Sequence, residues 1–229
     1  MFSTKKSFDV VVVGGGPGGS MTAWAAAENG MDVLLIEKDR EIGVPVRCAE
    51  GIGADVIHRY LDPDPRWISS KIEGVRIYAP AGKSVEFTEE GMGYVLERRV
   101  FDRALANKAV QAGAEVRVST SATGLIFDND VPVGVRVTTR GSSYEVRCKV
   151  VIAADGVESR VARWAGIKTL IALRDLEVTT QYLLDKVSTE KGYCEFFVGN
   201  EIAPGGYVWI FPKTETTANV GIGVSGRYT

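Results

Sequence analysis

The sequence predicts an α/β fold: a mostly parallel sheet with helices, carrying an antiparallel three-stranded meander, followed by part of a second, antiparallel sheet. Two patterns lead there. The first forty residues run from an apolar stretch through a glycine-rich turn and a helical segment into a second apolar stretch. Beyond Gly166, by contrast, strand-like segments follow one another with no helix between them.

Residues 8–13 form the first expected strand, whose continuous apolar character fits burial on both faces of a parallel sheet. Residues 17–29 have helical composition. They open on Pro17, suited to a first turn, and close at Asn29 and Gly30, a left-handed stop signal. Residues 32–36 are the second buried strand, so that strand, helix and strand make one parallel crossover unit. A loop over 39–50 contains Gly43 and Pro45, and a short helix is expected over 52–60 until Asp62-Pro63-Asp64-Pro65 ends it. Short strands are expected at 75–78, 84–87 and 94–96, separated by Gly and Pro. Residues 98–112 read as a second helix, with Phe101, Leu105 and Ala109 four apart and Gly113 as its stop. Residues 115–118 return to the sheet. The meander is expected at 125–127, 133–138 and 144–148, a further sheet strand at 150–153, and a helix at 157–165. Strands at 179–184, 193–198, 207–211 and 217–224 then build the second sheet.

A hydrophobic fraction of 45% supports a sizeable core, and a net charge of −2 without a basic stripe argues against nucleic acid as a partner. Cys48, Cys148 and Cys194 are odd in number and widely spaced, which fits neither a disulfide framework nor a zinc site. They suit a reducing cytosol, and no metal is expected. No apolar run approaches the ~20 residues that a spanning helix needs. The first residues run straight into a strand without a signal-peptide pattern, so a cytoplasmic protein is expected.

Gly14-Gly15-Gly16-Pro17-Gly18-Gly19 satisfies GxGxxG directly after a strand and before a helix. Gly14 permits the tight turn, Gly16 lets a diphosphate approach the backbone, and Gly19 lets helix and strand pack closely. Pro17 occupies a first helical turn, where a missing N–H costs nothing. The helix dipole and its free amides then face the phosphates. Glu37, some twenty residues on, ends the second strand, where a carboxylate accepts hydrogen bonds from ribose hydroxyls and repels a 2′-phosphate. A Rossmann-like dinucleotide site follows, with FAD or NAD preferred to NADP.

Three further segments carry a resemblance. The apolar strand ending in Asp155-Gly156 resembles the flavoprotein group that includes para-hydroxybenzoate hydroxylase. Pro45-Val46-Arg47-Cys48-Ala49-Glu50-Gly51 is similar to the cysteine-bearing loop beside the flavin in the geranylgeranyl reductase family. Tyr207-Val-Trp209-Ile-Phe211-Pro212, followed by Gly221-Ile-Gly223, follows that family's substrate-binding pattern position for position.

The resemblance implies FAD as cofactor, held by Gly14, Gly16, Pro17, Gly18, Gly19, Glu37, Lys38, Arg47, Cys48, Ala49, Gly51, Arg98, Ala122 and Asp155. It implies Cys48 as the catalytic candidate and a polyprenyl lipid substrate at Tyr207, Trp209, Phe211, Pro212, Gly221 and Gly223. Residues alone favour an inert, buried Cys48 and an ordinary aromatic core; only the resemblance points to an active cysteine and a substrate wall. Tyr207, Trp209 and Phe211 share one face of a strand, a wall suited to a prenyl chain that offers little to hydrogen-bond. His58, the single histidine, reads as a surface residue.

The implied activity is FAD-dependent saturation of C=C bonds in geranylgeranyl chains of membrane lipid precursors. The electron donor is reduced ferredoxin or NAD(P)H, and contact with the membrane is peripheral. A flavin-dependent hydroxylase and an inert fragment are the alternatives. The expected division is 1–72 with 97–170 as the FAD-binding domain and 73–96 with 171–229 as an incomplete substrate domain. Ala49 stands where the family has Gly, a departure that matters if the position needs positive φ. The last residue, Thr229, falls soon after Gly223, whereas relatives continue, so a truncated chain is expected.

Overall fold

Val10, Val11, Val12 and Val13 are at most 7% exposed, because strands flank them on both edges and side chains pack on both faces. Burying each stabilises the fold by roughly 1.5–3 kcal/mol before the entropic cost of ordering the chain. The computed structural model describes residues 5–228. In chain order its first elements are β1 (Ser7–Val13), α1 (Pro17–Glu28), β2 (Val33–Ile36), β3 (Gly51–Gly53) and α2 (Ala54–Tyr60). Next come β4 (Ile68–Tyr78), β5 (Ser84–Leu96), α3 (Arg98–Gln111), β6 (Glu115–Arg117), β7 (Thr120–Asp128) and β8 (Val131–Thr139). The remainder are β9 (Ser142–Ala153), α4 (Arg160–Trp164), β10 (Glu177–Asp185), β11 (Tyr193–Val198), β12 (Tyr207–Pro212) and β13 (Thr217–Ser225).

These elements form two compact units: the described part of Met1–Val46 with Arg99–Leu170, and Arg47–Arg98 with the described part of Ile171–Thr229. Residues 47–72, expected with the first unit, therefore group with the second, because β3 and β4 both pair with β5.

The first unit holds a six-stranded sheet in the order β6-β2-β1-β9-β8-β7. β1 pairs in parallel with β2 and β9, and β2 in parallel with β6, while β7, β8 and β9 form the antiparallel meander. Val10 and Val12 face Ala23 and Ala27 of α1 and Ala106 and Ala109 of α3, whereas Val11 and Val13 join Val135, Val137 and Val146. Pro17 stands in the first turn of α1. Gly30, at φ 79°, ends that helix, with Gly30 N and Met31 N donating back to Ala27 O and Ala26 O.

The second unit is a seven-stranded sheet in the order β10-β13-β12-β11-β4-β5-β3. Its pairings are antiparallel except for β11 with β4. Ile72, Val95, Cys194, Trp209 and Phe211 form its core.

Three expectations need correction. The strands expected at 144–148 and 150–153 are one strand, β9, whose first half pairs with β8 and whose second half pairs with β1. The three short strands expected at 75–78, 84–87 and 94–96 are one long hairpin of β4 and β5, turning where Ala81 adopts φ 66°. The helix expected at 157–165 is a 3-10 turn at Gly156–Glu158 followed by α4, because Ser159 sits at φ 42° between them.

Candidate functional site

The glycine-rich turn leaves β1 and enters α1 as expected. Gly14 has φ 108°, and a Cβ there would lie 2.3 Å from Ala154 O, so both conformation and space demand glycine. A Cβ on Gly19 would lie 1.9 Å from Gly14 O, which is how closely α1 approaches the end of β1. Gly16 and Gly18 behave differently: a Cβ at either would meet nothing within 4 Å. Packing inside the protein does not require glycine at those two positions. Open space beside a helix start is what a diphosphate needs. The first turn of α1 contains no acidic residue, and its cap has no side-chain hydrogen bond, so nothing there competes with an anion.

Glu37 follows β2. Its Oε2 accepts from Gly15 N at 2.7 Å and its Oε1 from Asp39 N at 2.9 Å. The backbone thus aims the carboxylate, and each oxygen keeps a second lone pair for ribose hydroxyls. Lys38 pairs with Glu158 at 2.6 Å on the surface. Asp155 leaves β9 beside the turn, its N 3.2 Å from a Cβ built on Gly14, and its Oδ2 accepts from Val161 N at 2.9 Å at the start of α4. Ala122 in β7 is half-buried against the cluster that holds Val135 and Val137. The residues present fit a dinucleotide diphosphate and its ribose.

In the second unit, Cys48 is half-buried and its Sγ accepts from Glu50 N at 3.2 Å. Arg47 is exposed. Ala49 does not adopt positive φ, so its departure from glycine brings no strain; Glu50 does, at 76°. That conformation costs about 1–3 kcal/mol for a side chain with Cβ, and the Glu50 side chain is held in return. Its Oε1 accepts from Arg98 N at 2.7 Å, and its Oε2 accepts from Lys213 Nζ at 2.5 Å and Asn219 Nδ2 at 2.6 Å. Glu50, Lys213 and Asn219 are 4%, 6% and 3% exposed, so an ion pair lies inside the unit. Lys213 Nζ also donates to Leu96 O and lies 3.3 Å from Glu97 Oε2.

The aromatic strand is built onto that loop. Trp209 and Phe211 are buried core and Tyr207 is partly exposed. The ring of Phe211 lies over Gly51, where a Cβ would come within 2.8 Å of Cε2. The indole of Trp209 crosses Gly221, and its Nε1 donates to Gln181 Oε1 at 3.0 Å. Gln181 Nε2 in turn donates to Cys48 O at 3.0 Å, and Asn219 Nδ2 to Ala49 O at 3.1 Å. Pro212 closes β12, and Gly223 pairs with Tyr207. The cysteine loop and the aromatic strand are therefore one packed structure.

Beside it lies an apolar cavity of about 270 Å³, bordered by Gly51, Ile72, Val75, Cys194, Phe196 and Phe211 among others. Burial pushes the Cys194 thiol up to about 12. His58 Nε2 lies 2.9 Å from the Tyr94 hydroxyl at an exposed position.

Sequence reading missed Gln181, Glu50, Lys213 and Asn219. Lys213 directly after the apolar run, and Asn219 two residues before Gly221 on the same strand, were the available signals. Among the described residues no group of His, Cys, Asp and Glu side chains is placed to hold a metal ion.

The FAD dependent oxidoreductase family matches residues 9–191, and the geranylgeranyl reductase catalytic domain matches residues 175–229. A digeranylgeranylglycerophospholipid reductase of Methanosarcina acetivorans is 55% identical over 229 residues, covering 98% of this chain and 56% of that protein. Digeranylgeranylglycerophospholipid reductase 2 of Methanococcoides burtonii is 53% identical over 226 residues, covering 97% of this chain and 56% of that protein. The chain thus spans little more than half the length of these relatives. A solved geranylgeranyl bacteriochlorophyll reductase-like protein from Thermoplasma acidophilum superposes with TM-score 0.94 at 43% identity, over 98% of this chain and 58% of that one. A myxobacterial FAD-dependent halogenase, at TM-score 0.79 and 22% identity, shares the fold. With its glycine turn, its Glu37 and a match over most of its length, the chain belongs to the family of FAD dependent oxidoreductases.

Proposed function

We propose that this chain forms the FAD-binding part and a portion of the substrate-binding part of a reductase that saturates C=C bonds in geranylgeranyl chains of membrane lipid precursors. One observation carries the reading: the cysteine loop and the aromatic strand, both of which resemble geranylgeranyl reductases, pack together beside an apolar cavity. Its volume is just below the ~300 Å³ at which ordinary ligand pockets begin. It takes one stretch of a prenyl chain, not the whole of it.

Bound FAD, once reduced, supplies a hydride equivalent. The open backbone at Gly16 and Gly18 holds the diphosphate, in a turn that Gly14 and Gly19 make possible and Pro17 leads into the helix, and Glu37 holds the ribose. The family resemblance also assigns to the cofactor Lys38, Ala122 and Asp155 in the first unit and Arg47, Ala49, Gly51 and Arg98 in the second. An isolated alkene has no carbonyl to polarise, so alignment and exclusion of water are the protein's contribution. Tyr207, Trp209, Phe211, Pro212, Gly221 and Gly223 build the apolar side, and Cys48 Sγ is the group that holds a proton for the second alkene carbon. Reduced ferredoxin or NAD(P)H supplies electrons. The protein works in the cytoplasm at the membrane surface; no helix among the described residues is long and apolar enough to cross it.

The test uses the full-length reductase carrying this segment, chemically reduced and mixed with a digeranylgeranyl glycerophospholipid. A mass gain of about 2 Da per saturated bond is expected. Oxygen consumption with a hydroxylated product would instead make the protein a monooxygenase.

A further inference from the structure

The loop that carries Cys48 lies between secondary-structure elements, so side chains of the sheet hold it. Asn219 and Lys213 anchor Ala49 and Glu50, but Cys48 itself is reached from β10. Gln181 uses both ends of its amide: Oε1 accepts the Trp209 indole N–H at 3.0 Å, and Nε2 donates to Cys48 O at 3.0 Å. These roles are not interchangeable. An indole nitrogen only donates and a carbonyl oxygen only accepts, so the indole dictates which way the amide points. The indole is fixed in turn, being 6% exposed and lying against Gly221, the residue paired with Gln181.

The geometry points to Gln181 as a positioning residue for Cys48, linking the Trp209 strand to the cysteine loop so that the thiol is presented at a set depth. Gln181 touches no reacting atom; it acts through Cys48. Its catalytic meaning rests on the reductase reading, whereas its effect on the thiol does not. Neither substitution at this position is equivalent to the other. Gln181→Glu keeps an acceptor for the indole but offers Cys48 O no donor, and Gln181→Leu removes both.

The experiment measures the alkylation rate of Cys48 by iodoacetamide in the purified chain, located by peptide mass spectrometry, across a range of pH. Cys148 and Cys194 are buried, so Cys48 dominates the reaction. Both variants are expected to change the Cys48 rate by about fivefold, the scale of one lost hydrogen bond. Ile57→Val, a core substitution in the same unit outside the aromatic strand and the cavity, serves as a control: it lowers the thermal midpoint and leaves the Cys48 rate alone. In the full-length reductase, Gln181→Glu is expected to lower kcat with lipid KM and flavin content unchanged. Cys48 alkylated at the parent rate in Gln181→Glu, or an equal change in Ile57→Val, would overturn the assignment. A changed rate in a parent enzyme that saturates no prenyl lipid would leave the positioning role standing and remove the reductase reading.

Discussion

Gly221 lies beneath the indole of Trp209: a Cβ built on it would sit 2.2 Å from Cζ2 and 2.7 Å from Thr180 O. The ring can reach Gln181 across β13 only because that strand has no side chain there. Gly221→Ala must therefore expel the ring or shift the strand. A loss of about 1–3 kcal/mol is expected from forced repacking of this kind. Urea unfolding followed by tryptophan emission reads it, and an unchanged midpoint would mean that the strand yields freely.

In the glycine turn, steric demand and ligand demand fall on different residues. Gly19→Ala drives a methyl into Gly14 O and should unfold the first unit or prevent soluble expression. Gly16 has φ −67° and open surroundings, so Gly16→Ala should fold with an unchanged thermal midpoint. Its methyl then stands where the diphosphate approaches, and FAD affinity in the full-length reductase should fall about tenfold or more. Flavin fluorescence titration checks this. Undiminished affinity would move the diphosphate elsewhere.

The buried Glu50–Lys213 pair gives a sharper contrast. Lys213→Met leaves the Glu50 carboxylate buried without its cation, at an expected cost of about 3–5 kcal/mol. Adding Glu50→Gln removes the stranded charge and keeps an oxygen for Arg98 N, but sets an amide nitrogen where Oε2 accepted from Asn219 Nδ2, so the double variant should recover part of that loss. Denaturant midpoints of both variants decide it. A double variant no more stable than Lys213→Met would show that the unpaired Glu50 carboxylate is not the source of the single variant's loss.

The first crossover was legible because each feature had one physical reading: continuous apolar strands, a glycine turn, a proline-led helix and Glu37 at the right distance. β9 was read as two strands because Lys149 interrupts its apolar run, yet Lys149 points outward to Asp9 at 2.7 Å and the strand continues. β5 was broken at Gly91 and Gly93 for a similar reason. Gly93 instead lets β3 approach, with Ile52 O 2.5 Å from where a Cβ would be. The motif residues of the site were visible as a pattern, but their partners were not. Gln181 lies 133 positions from the Cys48 carbonyl it binds, and nothing in Thr-Thr-Gln-Tyr marks it. Register across three strands, which local sequence does not encode, brings it there.

Alkaline stability offers the last test. Burial raises the Cys194 thiol from 9.0 to about 12, with Glu195 adding to the shift, and burial moves Cys148 in the same direction. A raised thiol means that the folded chain retains its proton when the unfolded chain has released it. The associated stability is whole below pH 9.0 and drains away as pH rises toward about 12. Urea midpoints should therefore fall across that window. Cys194→Ala, which leaves no proton to release, should start from a lower midpoint because of the small cavity and then decline less steeply. Parallel slopes in the two proteins would mean that Cys194 meets water in the folded state and that the apolar cavity beside Phe196 and Phe211 is wet.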